Sequence, residues 1–160
     1  MTALASNSDG ESVLPTKTQD EGSIGYLTRY AFRAFVKTLS VELEQYDIVT
    51  GEWSVLRVLW KGDSLSQVEL AQRMRVDKST LTAVLAKMQR KGLIHRKTHN
   101  DDGRKINITL TAKGNGLRHK LLPLTEKINQ RATRGLSEAE IRQIALLLDK
   151  VTKNLDGNGS

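Results

Sequence analysis

Two amphipathic helical segments, Ser66–Met74 and Asp77–Lys91, stand only about three residues apart, and an alternating pattern of strand type follows at once. So short a joint makes the two helices cross steeply and share one core, which is helix-turn-helix spacing. Ser66 and Glu69 have the S-x-x-E spacing of a capping box that opens the first segment. Asp77 is placed to cap the second, and Gly92 to stop it. Ala71 is small at the crossing, Val76 is apolar in the turn, and Leu70, Leu81 and Val84 can fill the space between. Arg75 stands where many such turns carry glycine. Beyond Gly92 the period changes: Leu93–Thr98 and Lys105–Leu110 read as strands, joined by turn formers from His99 to Gly103. The expected fold is mainly α (α+β), a winged helix-turn-helix with a two-stranded wing.

The remaining sequence is helical at both ends. Ile24–Tyr46 reads as one long helix, and Thr50 is placed to cap another that runs through Trp53, Leu56 and Trp60. Thr111 opens a helix to about Arg134, with a bend expected at Pro123. Ser137 and Glu140 form a second capping box, for a last helix ending near Leu155. In that helix Ile141, Ile144, Leu148, Val151 and Leu155 make a heptad seam, and Leu117, Leu121, Leu124 and Ile128 make a second one before it. Either seam alone could pack within one subunit; together, beside a largely apolar first helix, they favour a bundle between subunits. The expected division is a disordered arm at 1–19, long N- and C-terminal dimerisation helices at 20–49 and 111–155, a DNA-binding lobe at 50–110, and a disordered tail at 156–160.

Charge says what the lobe would bind. Between Arg73 and Lys105 lie ten basic residues and three acidic ones, which accounts for the whole net charge of +7; the rest of the chain is balanced. A basic surface this concentrated suits a polyanion. At 100° per residue, Leu81, Val84, Leu85 and Met88 share the core face of the second helix, while Ser79, Thr82, Ala83, Ala86 and Arg90 share the other. A merely solvated face would carry Glu and Lys at i, i+4, but this helix has no acid after Asp77. Its small and hydroxyl residues let a helix sink into the major groove. Ser79, Thr80 and Thr82 can bond base edges, and the methyls of Thr82 and Ala83 can touch thymine. Lys78, Lys87 and Arg90 are placed for phosphates. On the wing, Arg96 and Lys97 precede the tip and Arg104 and Lys105 follow it. A wing-tip arginine suits a narrow minor groove, with Asp102 orienting Arg104 or serving as a turn residue.

Asp102-Gly103-Arg104, with Ile108, Leu110-Thr111 and Gly114, resembles the D-x-R…L-T-x-x-G wing signature of the MarR family of multiple-antibiotic-resistance regulators. The order of elements is similar over residues 24–155. The resemblance implies a cytoplasmic, nucleoid-associated repressor. It would be a homodimer with intertwined terminal helices, gripping a pseudo-palindromic double-stranded operator. It also implies release by a small molecule, often a phenol or an aromatic carboxylate. Tyr26, Arg29, Tyr30 and Arg33 on the first helix, with Trp53 and Arg57 on the second, supply cations and flat walls for such an acid. The arginines could equally face solvent or make intersubunit ion pairs.

Other classes find less in the residues. There is no cysteine, which removes disulfides, thiolate zinc sites and thiol redox sensing. His95, His99 and His119 have no nucleophile or paired carboxylate at a catalytic spacing, and no phosphate-binding glycine loop occurs. No enzyme, resident metal, cofactor or membrane span is expected. Met1–Asp20 lacks the pattern of a signal peptide. A zinc-responsive regulator using His95, His99, Asp101 and Asp102 is one alternative, and a ligand-independent architectural DNA binder is another.

Overall fold

The computed structural model describes residues 22–62, 64–99 and 102–157, giving the backbone alone for 98, 99 and 102–105. Contacts divide the chain into two compact units, split between Thr38 and Leu39. The first holds most of the helix α1 (Ile24–Glu44). Within it the Tyr26 and Tyr30 rings lie 4.4 Å apart, and the Arg29 guanidinium sits 5.6 Å from the Tyr26 ring. Ile24, Leu27, Tyr30, Phe32 and Phe35 are exposed. That is a long apolar surface for one helix.

The second unit contains α2 (Thr50–Leu59), β1 (Leu65–Ser66), α3 (Gln67–Met74), α4 (Lys78–Arg90), β2 (Ile94–His99), β3 (Asp102–Leu110), α5 (Ala112–Gly116), α6 (Arg118–Ala132) and α7 (Glu138–Leu155). Its core joins Leu43, Ile48 and the α2 residues Trp53, Val55, Leu56 and Leu59 to Leu70 of α3, Leu81, Leu85 and Met88 of α4, and Ile108 of β3. The expected inner face of α4 is the buried one, with Val84 half-buried beside it. Fully burying each such leucine stabilises the unit by roughly 1.5–3 kcal/mol.

The ends of α3 and α4 explain the sharp turn. Ser66 caps α3: its hydroxyl accepts the Glu69 N–H at 3.2 Å, and the Glu69 carboxylate accepts the Ser66 N–H at 2.8 Å. At the other end Arg75 adopts the left-handed conformation (φ 54°). The Arg75 N–H then reaches Gln72 O, and the Val76 N–H reaches Ala71 O. The glycine-type turn is thus built with arginine, at a cost of roughly 1–2 kcal/mol. Helix α4 ends the same way with Gly92 (φ 68°), its N–H on Gln89 O and that of Leu93 on Met88 O.

Several boundaries differ from expectation. The wing sheet has three antiparallel strands in the order β1-β3-β2, with Leu65 opposite Ile108 and Arg96 also opposite Ile108 from the other side. Two residues are too few to show an alternating pattern, so β1 was not readable. Asp102 and Gly103, expected in the turn, belong to β3, and His99, also expected there, ends β2 and pairs with Asp102 across a register irregularity after Thr98. Val49, not Thr50, holds the cap position of α2; the Glu52 carboxylate accepts the Val49 N–H at 3.1 Å. The single helix expected after Thr111 is two, α5 and α6, meeting at Leu117. Gly114 and Gly116 weaken helix formation there. The arm at 1–19 lies outside the described residues.

The two heptad seams part company. On α6, Leu121 is fully buried in the core and Leu117 and Leu124 pack against it, so this seam is internal. On α7 no residue is buried: Ile144 and Leu148 are 45% and 46% exposed, and Leu155 is 83% exposed.

Candidate nucleic-acid interface

Burying Leu81, Leu85 and Met88 turns the opposite face of α4 outward. Lys78, Ser79, Thr80, Thr82, Ala83, Lys87 and Arg90 are all exposed along it, as is Ala86. One helix face thus brings together small side chains over a rigid base and cations at its margins. Arg90 folds back to donate from Nε to Ala86 O at 3.4 Å. Asp77 holds the cap position without a side-chain capping bond.

Thr82 and Arg96, both expected at the DNA surface, are tied into a polar chain. Arg96 Nη2 donates to Gln67 Oε1 at 3.1 Å, and Gln67 Nε2 donates to Thr82 Oγ1 at 2.6 Å. Thr82 Oγ1 in turn donates to Lys78 O at 2.7 Å. The chain links strand β2, the start of α3 and the middle of α4. Arg96 is half-buried there, while Lys97 beside it is exposed. Nothing in the sequence marked Gln67 except its polarity at a position facing the core. The side chains of Asp102, Arg104 and Lys105 lie outside the described residues.

The C-terminal end of α4 is clamped as firmly. Lys91 Nζ lies 2.9 Å from Glu52 Oε2 and 3.4 Å from Asp47 Oδ1, and donates to Asp47 O at 2.6 Å. Burial alone lowers the Lys91 pKa, but the hydrogen bonds and charges of Glu52 and Asp47 outweigh it and hold the ammonium above its ordinary 10.5. Glu52 is 1% exposed, and among the described residues its Oε1 has no hydrogen-bond partner. Lys113 Nζ donates to Lys91 O at 2.8 Å, and Thr111 Oγ1 donates to Gly92 O at 2.7 Å. Thr111 Oγ1 also accepts the Gly114 N–H at 3.0 Å, capping α5. Gly114 lies so close to Leu93 that a Cβ would stand 2.2 Å from Leu93 O, and its own carbonyl accepts the Trp60 indole N–H at 3.2 Å. The L-T-x-x-G stretch therefore fastens the wing's exit to the end of the outward-facing helix.

The six residues expected to hold an aromatic acid fall in separate units, Tyr26, Arg29, Tyr30 and Arg33 in the first and Trp53 and Arg57 in the second. Trp53 is 3% exposed and belongs to the core, edge-on to Trp60 at 5.6 Å, with the Arg57 guanidinium 5.8 Å from its ring. An open groove of about 340 Å³ beside the turn, lined by Val68, Ala71, Arg75 and Lys78 among others, includes none of the six. Among the described residues no group of three or more His, Cys, Asp or Glu could hold a metal ion. His95 is exposed; His99, Asp101 and Asp102 lie outside the described side chains.

Fold and site together define a winged helix-turn-helix protein. The MarR family model matches residues 50–106, and the chain carries a MarR-family winged-helix domain there. It is 28% identical over 131 residues to the HTH-type transcriptional regulator TtmR of Methylorubrum extorquens, an alignment covering 82% of this chain and 63% of that protein, under two thirds of its length. Its fold matches that of a mutant MarR from E. coli complexed with operator DNA, with a TM-score of 0.75 and 26% identity over 79% of this chain and 91% of that one. It also matches BpsR from Bordetella bronchiseptica, whose DNA binding is regulated by 6-hydroxynicotinic acid, with a TM-score of 0.75 and 26% identity over 81% and 98% of the two chains. The MarR family is one of DNA-binding transcriptional regulators and not of enzymes. Among the described residues no helix is long and apolar enough to cross a membrane.

Proposed function

We propose that this protein is a transcriptional repressor that binds a pseudo-palindromic operator as a homodimer and is released by a small aromatic acid. The observation that carries the reading is the outward face of α4: small, hydroxyl-bearing and free of acids after Asp77, edged by Lys78, Lys87 and Arg90. A helix of this kind enters a major groove while its flanking cations meet phosphates. Dimerisation is supported by the apolar seam of Ile144, Leu148 and Leu155 on α7, which is exposed among the described residues. Release by an aromatic acid is supported by BpsR, whose DNA binding responds to a pyridine carboxylic acid. Tyr26, Arg29, Tyr30 and Arg33 of α1 offer cations and rings for such a ligand. It must bind the DNA-incompetent arrangement more tightly, because equal affinity for both states shifts nothing. The setting of such a repressor is the cytoplasm, on the nucleoid.

The test is selection of bound duplexes from random DNA, followed by affinity measurements over a salt series. Enrichment of a two-fold symmetric site is expected, with half-sites about one helical turn apart and affinity falling steeply with salt. Calorimetry with a panel of benzoate- and nicotinate-type acids, on wild type and on Arg29→Ala and Arg33→Ala, tests the ligand. No enriched sequence would remove the DNA reading; a panel without a binder would remove only the ligand.

A further inference from the structure

The polar chain through Gln67 has a direction that its end members fix. Arg96 is a guanidinium and can only donate, so the atom of Gln67 that faces it is the amide oxygen. The amide nitrogen therefore faces Thr82, and the Thr82 oxygen must accept from it. A hydroxyl has one hydrogen. That of Thr82 goes to Lys78 O, which can only accept. No proton is left to give to a base.

Thr82 is nevertheless exposed, at the margin of the face assigned to DNA that borders α3, with Ala83 next in sequence and Ala86 one turn on. With Oγ1 turned back to Gln67 and Lys78, its methyl is the group left outward. Gln67, 9% exposed and held between Arg96 and Thr82, keeps it so. Resting on the DNA-binding reading above, we propose that Thr82 recognises the C5-methyl of a thymine through its own methyl group, and that Gln67 is the positioning residue that commits Thr82 to this contact. The same amide ties the setting of wing strand β2 to that of α4, so one buried side chain registers both reading elements.

Deoxyuridine differs from thymidine only by the missing methyl, so the probe needs no change in the protein. Each thymine of the selected operator is replaced in turn, in both half-sites, and affinity is measured with the full chain. One thymine per half-site is expected to lose roughly fourfold on replacement, the worth of one buried methyl. Thr82→Val keeps a methyl outward and is expected to retain that penalty, while Thr82→Ser loses it. Gln67→Leu leaves the hydroxyl held by Lys78 O alone and is expected to reduce the penalty when Thr82 is present. In the Gln67→Leu, Thr82→Val double variant the penalty returns, which a merely structural role for Gln67 would not produce. An enriched operator with no methyl-sensitive thymine overturns the inference and leaves the DNA reading standing. So does a Thr82→Ser protein that keeps the penalty, or a Thr82→Val protein that loses it. Failure of the random pool to yield any operator overturns both.

Discussion

Substituting Gly114 by alanine is expected to cost about 4 kcal/mol, although it adds a single methyl group. The added Cβ would stand 2.2 Å from Leu93 O and 3.1 Å from Leu110 Cδ2. Relief requires α5 or the Gly92–Leu93 backbone to move by about 1 Å, because van der Waals separations are well above 3 Å. Either movement pulls on bonds that converge at this point: the Trp60 indole on Gly114 O, the Thr111 hydroxyl on Gly92 O, and the Thr111 N–H on Leu93 O. Overpacking contributes roughly 1–3 kcal/mol. Depriving the buried Trp60 N–H of its acceptor contributes roughly another 1–3 kcal/mol. In a chain of this size that is a fall in Tm of roughly 8–16 °C. Gly116 is the internal control, since a Cβ there meets nothing within 4 Å; Gly116→Ala should gain about 0.5–1 kcal/mol. Both are read by urea and thermal denaturation at one fixed protein concentration, because the stability of the proposed dimer would depend on it. A Gly114→Ala protein within 1 kcal/mol of wild type would refute the close approach on which this account of the L-T-x-x-G stretch rests.

Lys91→Met strands the buried Glu52 carboxylate without its cation and should destabilise the chain by roughly 3–5 kcal/mol in urea denaturation. Because the Lys91 pKa is raised, its contribution is fully present below pH 10.5 and is lost as pH rises through the shifted value, so wild type and variant should converge only in strong alkali. Leu148→Glu, at a site already 46% exposed, should leave far-UV circular dichroism unchanged yet give a monomer by analytical ultracentrifugation; a dimer would mean that α7 is not the contact. Lys87→Ala should weaken binding to all sequences alike and flatten the salt dependence, whereas Arg104→Ala should cost roughly 1–3 kcal/mol of operator affinity. Unchanged affinity in both would exclude helix flank and wing together.

The helix-turn-helix was readable because its determinants are local. The Ser66–Glu69 box, the inner face of Leu81, Leu85 and Met88, and the stop at Gly92 each act within one or two turns of chain, and each is found as read. Arg75 shows how little the expected turn glycine decides: the two backbone bonds after α3 form around an arginine in the left-handed conformation. The two seams were alike on paper and differ in the structure, because whether a heptad faces its own core or open surface depends on how the wing delivers the chain into α6. Leu121 is delivered inward and Leu148 is not.

What sequence could not show is the set of long-range polar contacts around α4, at its middle and its C-terminal end. Lys91 meets Glu52 across 39 positions, Arg96 meets Gln67 across 29, and Trp60 meets Gly114 across 54. None of these pairs has a periodic signature. Composition therefore located the face that suits DNA, while tertiary contacts decided what each residue on that face can still offer. Thr82 keeps its place but not its proton, and Arg96 shares its guanidinium with Gln67. Residue type and spacing define where a polyanion would be met; the hydrogen-bond directions behind that surface define which atoms meet it.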